Sequence, residues 1–170
     1  MSDMSATTFF GGGEGRGRGL PSLAVFVGAS YLVAIAGSAA ASDAGALYSS
    51  LERPPWAPPP WLFAPVWTVL YGMIGVSAWL VWRRAGWDAR TALLWWWAQL
   101  VLNALWTPLF FGARQYGLAF LDICLLLLAV VVTMVLFWRA HRAASLVLAP
   151  YALWVAFASA LNLNLWMNNA

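Results

Sequence analysis

The residues of this chain that could do chemistry are aromatic rings, a few amides and one carboxylate, and their spacing puts them on shared helix faces. Phe63, Trp67 and Tyr71 stand at i, i+4 and i+8, and Gln99, Asn103 and Trp106 at i, i+4 and i+7. Tyr151, Trp154, Ala158 and Asn162 recur at roughly one-turn intervals, so each set lines one side of a helix. Flat rings and amides directed at one volume suit a pocket for a large planar or rigid apolar ligand. Buried amides also bond neighbouring helices, and aromatic stripes often fill a core. Here Trp67, Asn103, Trp106, Asp122, Asn162 and Asn164 fall at a common depth, which favours a site. Asp122 is the only acid inside an apolar run. Such a group is costly in a membrane and faces the interior, either as a proton-sensitive ligand contact or as a partner for a nearby Asn, Trp or backbone group.

Other chemistries are excluded by what the sequence lacks. There is no lysine for a Schiff base, and the sole histidine, His141, lies between arginines, so a bis-histidine haem is ruled out. No phosphate loop, zinc motif or CxxC pair occurs, and no standard catalytic constellation or metal site is expected. The lone Cys124 sits in an apolar run and can form no intramolecular disulfide. The net charge of +3 comes from arginines scattered over short loops, which is no nucleic-acid footprint.

The elements that must position these residues are membrane spans. Of the 170 residues 63% are hydrophobic and 9% charged, whereas a soluble domain carries about 25% charge; an all-α integral membrane bundle follows, and not a soluble enzyme. Five runs, 20–42, 61–82, 91–111, 115–138 and 143–166, each exceed the roughly 18 apolar residues of a spanning helix. Residues 1–19, rich in Gly, Ser and Thr, are expected to be a disordered tail, and 20–170 one five-helix domain. Ala39-Ala40-Ala41 resembles a signal-peptidase site, but the preceding run is longer than a secretory core of about 7 to 15 residues, so a retained helix is expected.

Arg16, Arg18, Arg83, Arg84, Arg90, Arg139 and Arg142 fall on one side of the spans and only Arg53 and Arg114 on the other. This asymmetry predicts a cytoplasmic N-terminus, with the first loop facing outward from a bacterial cell membrane. That loop, 43–60, contains Pro54-Pro55-Trp56-Ala57-Pro58-Pro59-Pro60 and is expected to be a stiff extended cover. Small residues at spacing of four, Ala36 with Ala40 and Ala152, Ala156 and Ala160, permit close helix approach within a bundle or between two copies.

Three blocks in this order resemble the translocator protein or tryptophan-rich sensory protein family, also called the peripheral-type benzodiazepine receptor family. They are Tyr48 to Pro59 (YSSLERPPWAPP) leading to Pro65-Val66-Trp67; Gln99-Leu100, Asn103, Leu105-Trp106-Thr107-Pro108 and Phe110-Phe111-Gly112; and Pro150-Tyr151, Trp154, Ala158 and Leu161-Asn162. The resemblance runs from about Val25 to Trp166. It implies a five-helix bundle, often a homodimer, that binds porphyrins such as protoporphyrin IX beneath the first loop and requires no cofactor.

By motif, Trp67 and Trp154 match tryptophans linked to light-dependent porphyrin degradation. Asn103 and Trp106 match pocket residues, Ala158 a ligand-sensitive small position, and Tyr48 and Trp56 rings of the covering loop. Leu47 stands where many members carry a further tryptophan. The C-terminal segment lacks the Tyr followed by Arg or Lys of the proposed cholesterol motif, so cholesterol binding is not carried over. The expected ligand is therefore a porphyrin or another planar apolar molecule, sensed, sequestered or moved. Slow photo-oxidative breakdown of the porphyrin and transport of other apolar ligands are the alternatives.

Overall fold

The computed structural model describes residues 19–39 and 43–169; residues 1–18 of the expected tail, and Ala40, Ala41 and Ser42, lie outside that description. The chain forms α1 (Leu20–Ala39), the short α2 (Ala44–Ser50), α3 (Phe63–Ala85), α4 (Arg90–Thr107), α5 (Tyr116–Ala140) and α6 (Arg142–Asn169). All but α2 are long enough to cross a bilayer, since a helix rises about 1.5 Å per residue. The 53 residues Pro60–Gly112 form one nearly continuous helical run, which Gly86 divides into two crossings. Gly86 takes φ 53° at the end of α3, a left-handed conformation that closes the helix and that a side chain would strain.

The expected spans agree with these helices to within a few residues, except at the end of the third. There Pro108 follows α4 without an N–H to donate, and Pro108–Gly112 widens into a π turn closed by Ala113 N–H to the Pro108 carbonyl at 2.8 Å. The wide turn buries the Phe110 ring on Trp106, with centroids 5.1 Å apart.

The first loop differs from the expected extended cover. Its first part, AGALYSS, contains no proline and folds as α2; the proline-rich remainder is extended only in part, with a turn at Pro55-Trp56 closed by Ala57 N–H donating to the Pro54 carbonyl at 2.9 Å and a 3-10 turn at Pro60–Leu62. Tyr48 on α2 staples the two parts together by donating to the Pro58 carbonyl at 3.0 Å. A reciprocal pair of bonds ties the loop to the far end of α6: Glu52 N–H donates to Asn169 Oδ1 at 2.9 Å, and Asn169 Nδ2 donates to the Glu52 carbonyl at 3.1 Å.

The two ends of the bundle are packed differently. Towards Arg83, Arg90 and His141 the interior is solid: Trp96 is fully buried with Phe137, Leu148 and Val81 and donates its indole N–H to the Ile74 carbonyl at 3.0 Å. Towards the first loop the interior is hollow. The close approach of α1 to α3 depends on a glycine. A Cβ at Gly75 would lie 2.6 Å from Val27 Cα, whereas Ala36, Ala156 and Ala160 are exposed in the single chain. α1 thus crosses α3 at Gly75, and nearer the loop it meets α4, where a Cβ at Gly37 would lie 3.5 Å from Thr107 Oγ1.

Candidate ligand-binding pocket

Beneath α2 and the proline-rich segment lies a cavity of about 460 Å³, within the range of about 300 to 1,000 Å³ usual for small-molecule sites. Nine rings stand on its wall: Tyr31 from α1, Tyr48 from α2, Phe63, Trp67 and Tyr71 from α3, Trp106, Phe110 and Phe111 from α4 and its π turn, and Trp154 from α6. Phe63 joins lid to floor, edge-on to Tyr48 at 5.2 Å and to Trp154 at 5.9 Å. Trp67 lies 5.4 Å from Tyr71 along one face of α3, as their spacing predicts. The polar wall groups include Asn103, Asn162, Thr68, Thr107 and Ser38, and no charged residue among the described residues lines the cavity.

These amides are held by bonds between helices. Tyr71 Oη donates to Asn103 Oδ1, Asn103 Nδ2 donates to Tyr151 Oη at 3.1 Å, and Tyr151 Oη donates to Gln99 Oε1 at 2.8 Å. The chain joins α3, α4 and α6 and sets the direction of the Asn103 amide. Nearer the mouth, Trp106 Nε1 donates to Asn162 Oδ1 at 2.9 Å, and Asn162 Nδ2 donates to the Tyr116 carbonyl at 3.1 Å, which adds the start of α5.

Of the residues singled out from the sequence, Tyr48, Phe63, Trp67, Tyr71, Asn103, Trp106, Trp154, Ala158 and Asn162 meet on this wall. Gln99 and Tyr151 stand behind it, buried, with Tyr151 edge-on to Trp67 at 6.3 Å. They share the face of the lining residues but sit one turn or more deeper, where the bundle is closed. Trp56 lies outside, half-exposed and edge-on to Phe157 at 5.7 Å. Asp122 is buried on α5 but off the wall; its Oδ2 has no hydrogen-bond partner among the described residues.

α1 contributes Tyr31, Ala34, Ile35 and Ser38, which spacing did not reveal. The helix is apolar all round, and Tyr31 is its only aromatic hydroxyl. On the covering loop, the Arg53 guanidinium sits 5.1 Å above the Tyr48 ring. Burial pushes the Tyr48 phenol above its ordinary value, and Arg53 only partly offsets this, so at neutral pH the phenol keeps the proton it donates to Pro58. Tyr48→Phe is therefore expected to loosen the lid at a cost of about 1 kcal/mol, read as faster proteolysis of the first loop with little change in the unfolding midpoint of the bundle.

The sequence profile of the TspO/MBR family matches residues 23–167. The chain belongs to this family. Among its relatives, the translocator protein of Homo sapiens is 36% identical over 152 residues, covering 88% of this chain and 85% of that protein. The tryptophan-rich protein TspO of Archaeoglobus fulgidus is 41% identical over 123 residues, covering 72% and 80%. Protein CrtK of Rhodobacter capsulatus is 40% identical over 146 residues, covering 83% and 91%. This chain is thus an integral membrane protein of the TspO/MBR family, and Tyr48, Trp67, Asn103, Trp106, Trp154, Ala158 and Asn162 of the blocks that carried the resemblance stand on the pocket wall.

Proposed function

We propose that this TspO/MBR protein binds a tetrapyrrole of the protoporphyrin class in the pocket beneath the first loop, and senses, sequesters or moves it. The observation that carries the reading is the convergence of nine rings on one cavity whose polar wall groups are all neutral. Such a wall suits a broad, flat, apolar body held by stacking and by amide contacts. Among the described residues the wall offers no histidine, cysteine or methionine, so the macrocycle would be held by its faces and edges, and free-base porphyrin should bind about as well as haem. Among the described residues, Arg83, Arg84, Arg90, Arg139 and Arg142 lie at the end opposite the pocket, and Arg53 and Arg114 at the pocket end. This asymmetry supports an outward-facing first loop in a bacterial cell membrane.

The test is a titration of purified protein with protoporphyrin IX, followed by quenching of tryptophan emission. Saturable quenching is expected, with the apparent Kd raised about tenfold, or about 1.4 kcal/mol, in Trp67→Phe, Trp154→Phe or Asn103→Ala. Quenching that never saturates and is equal in all variants would show mere partitioning into the micelle and end the proposal.

A second reading, light- and oxygen-dependent breakdown of bound porphyrin, is supported by the presence of both Trp67 and Trp154 on the wall. The indole N–H of Trp154 is buried without a hydrogen-bond partner among the described residues. Illumination should then produce a bilin-like absorption band. A product yield unchanged in Trp67→Phe and Trp154→Phe would remove this reading.

A further inference from the structure

The pocket has a side as well as a roof. Several residues on its wall are also exposed on the outside of the bundle: Ile35 and Ser38 on α1, and Ala64 and Thr68 on α3. In a membrane-spanning bundle the surface beside these helices faces acyl chains, and Ile35, 63% exposed, points a large apolar side chain there. The opening follows from how α1 is packed. Gly75 holds α1 against α3 near Val27, but by Gly37 the helix has reached Thr107 on α4, so α1 and α3 diverge towards the loop end. The inner limit of the gap is the bond from Tyr31 Oη to the Thr68 carbonyl at 2.8 Å; Gly72 leaves room for this phenol, because a Cβ there would lie 3.2 Å from it.

The roof, in contrast, is fastened. Tyr48 is bonded to Pro58 and Glu52 is doubly bonded to Asn169. The hydroxyls beside the gap are turned back on their own helices, Ser38 to the Ile35 carbonyl at 2.9 Å and Thr68 to the Ala64 carbonyl at 2.8 Å, so the passage presents mostly carbon.

We infer that the pocket exchanges its ligand with the hydrocarbon phase of the bilayer through this side window between α1 and α3, and not with water through the first loop. The inference rests on the proposed porphyrin pocket and narrows its ligand class: the molecule arrives already dissolved in the membrane, with its charged groups left at the headgroup level, where Arg53 lies. A phenylalanine placed in the window from either side narrows it without adding an indole. A wedge of this kind slows entry and exit together, whereas a side chain that merely spoils the fit leaves entry alone and speeds exit.

The experiment is stopped-flow mixing of protein in lipid nanodiscs with protoporphyrin IX preloaded in lipid vesicles of the same composition, for wild type, Ser38→Phe, Ala64→Phe and Asn169→Ala. The inference expects association and dissociation rates both lower by about tenfold in each phenylalanine variant, and rates within about twofold of wild type in Asn169→Ala. Because the two wedges lie on different helices, failure of one to fold leaves the other to decide. Unchanged association in the folded wedges, or faster association in Asn169→Ala, would assign entry to the loop and overturn the inference. Absence of saturable binding by wild type would instead remove the porphyrin pocket, and the inference with it.

Discussion

Gly75→Val is expected to cost more stability than any other single substitution of a membrane-embedded glycine in this chain. Even the first carbon of the new side chain would lie 2.6 Å from Val27 Cα, 2.9 Å from Val27 N and 3.0 Å from the Phe26 carbonyl oxygen. These are backbone atoms of α1, which cannot swing aside as a side chain can, so the whole helix must retreat. Retreat uncouples Phe26 from Trp96, now edge-on with centroids 5.5 Å apart, and pulls Tyr31 from the Thr68 carbonyl. Overpacking of this kind costs about 3 kcal/mol, and more where a backbone must move. The check is the midpoint of unfolding by denaturing detergent, read from tryptophan emission. Gly28 on the same contact helix has open space where a Cβ would go, so Gly28→Ala should leave the midpoint unchanged or slightly raised. A Gly75→Val midpoint equal to that of Gly28→Ala would show that α1 is not held where it crosses α3.

Asn103→Leu is expected to produce the largest combined loss of stability and binding. The leucine is close in size but returns nothing to the two phenols, leaving Tyr71 without its acceptor and Tyr151 without its donor. Interhelical bonds in membranes average about 0.6 kcal/mol and reach about 1.7, and a stranded buried polar group adds about 1 to 3 kcal/mol. A loss of about 2 to 3 kcal/mol is therefore expected. Tyr151→Phe removes one donor and one acceptor but strands only amides, so it should cost less, about 1 kcal/mol. The discriminating measurement is a double-mutant cycle between Tyr71→Phe and Asn103→Leu. If the two effects add without coupling, the chain of bonds is not a unit. Porphyrin affinity should fall with Asn103→Leu, since the amide stands on the wall and its second N–H is free of any protein partner among the described residues.

The spans were legible because lipid imposes long uncharged runs that soluble folds do not need. The face containing Phe63, Trp67 and Tyr71 was legible because a period of nearly four survives in any straight helix. Depth was less so. Gln99 and Asn103 share one face, yet only Asn103 reaches the cavity, because the boundary between solid and hollow core is set by Trp96 on the same helix and by Tyr151 across from it. The contribution of α1 was invisible for a different reason: an apolar helix carries no periodic contrast, so nothing marks which side faces the pocket and which faces lipid. α2 was hidden by the prolines that follow it, whose effect reaches only one residue back and leaves AGALYSS free to coil. The close approach of α1 to α3 came from Gly75, a single residue without any repeat to announce it, while Ala36, Ala156 and Ala160 of the alanine series are exposed and Ala152 is half-buried.

The packing of α1 also gives it the mechanics of a lever. Its fulcrum is Val27 against Gly75, where backbone meets helix with no side chain between them. At the far end, at Gly37, it comes to ordinary van der Waals distance from Thr107. The ten residues between these points make an arm of about 15 Å, so a tilt of about 10° carries the outer end through about 3 Å. The bond from Tyr31 to Thr68 and the packing of α1 on α4 oppose that swing. A small rotation at a fixed pivot can thus change the width of the gap beside Ile35 while the other four long helices, tied together through Asn103 and Asn162, stay in place.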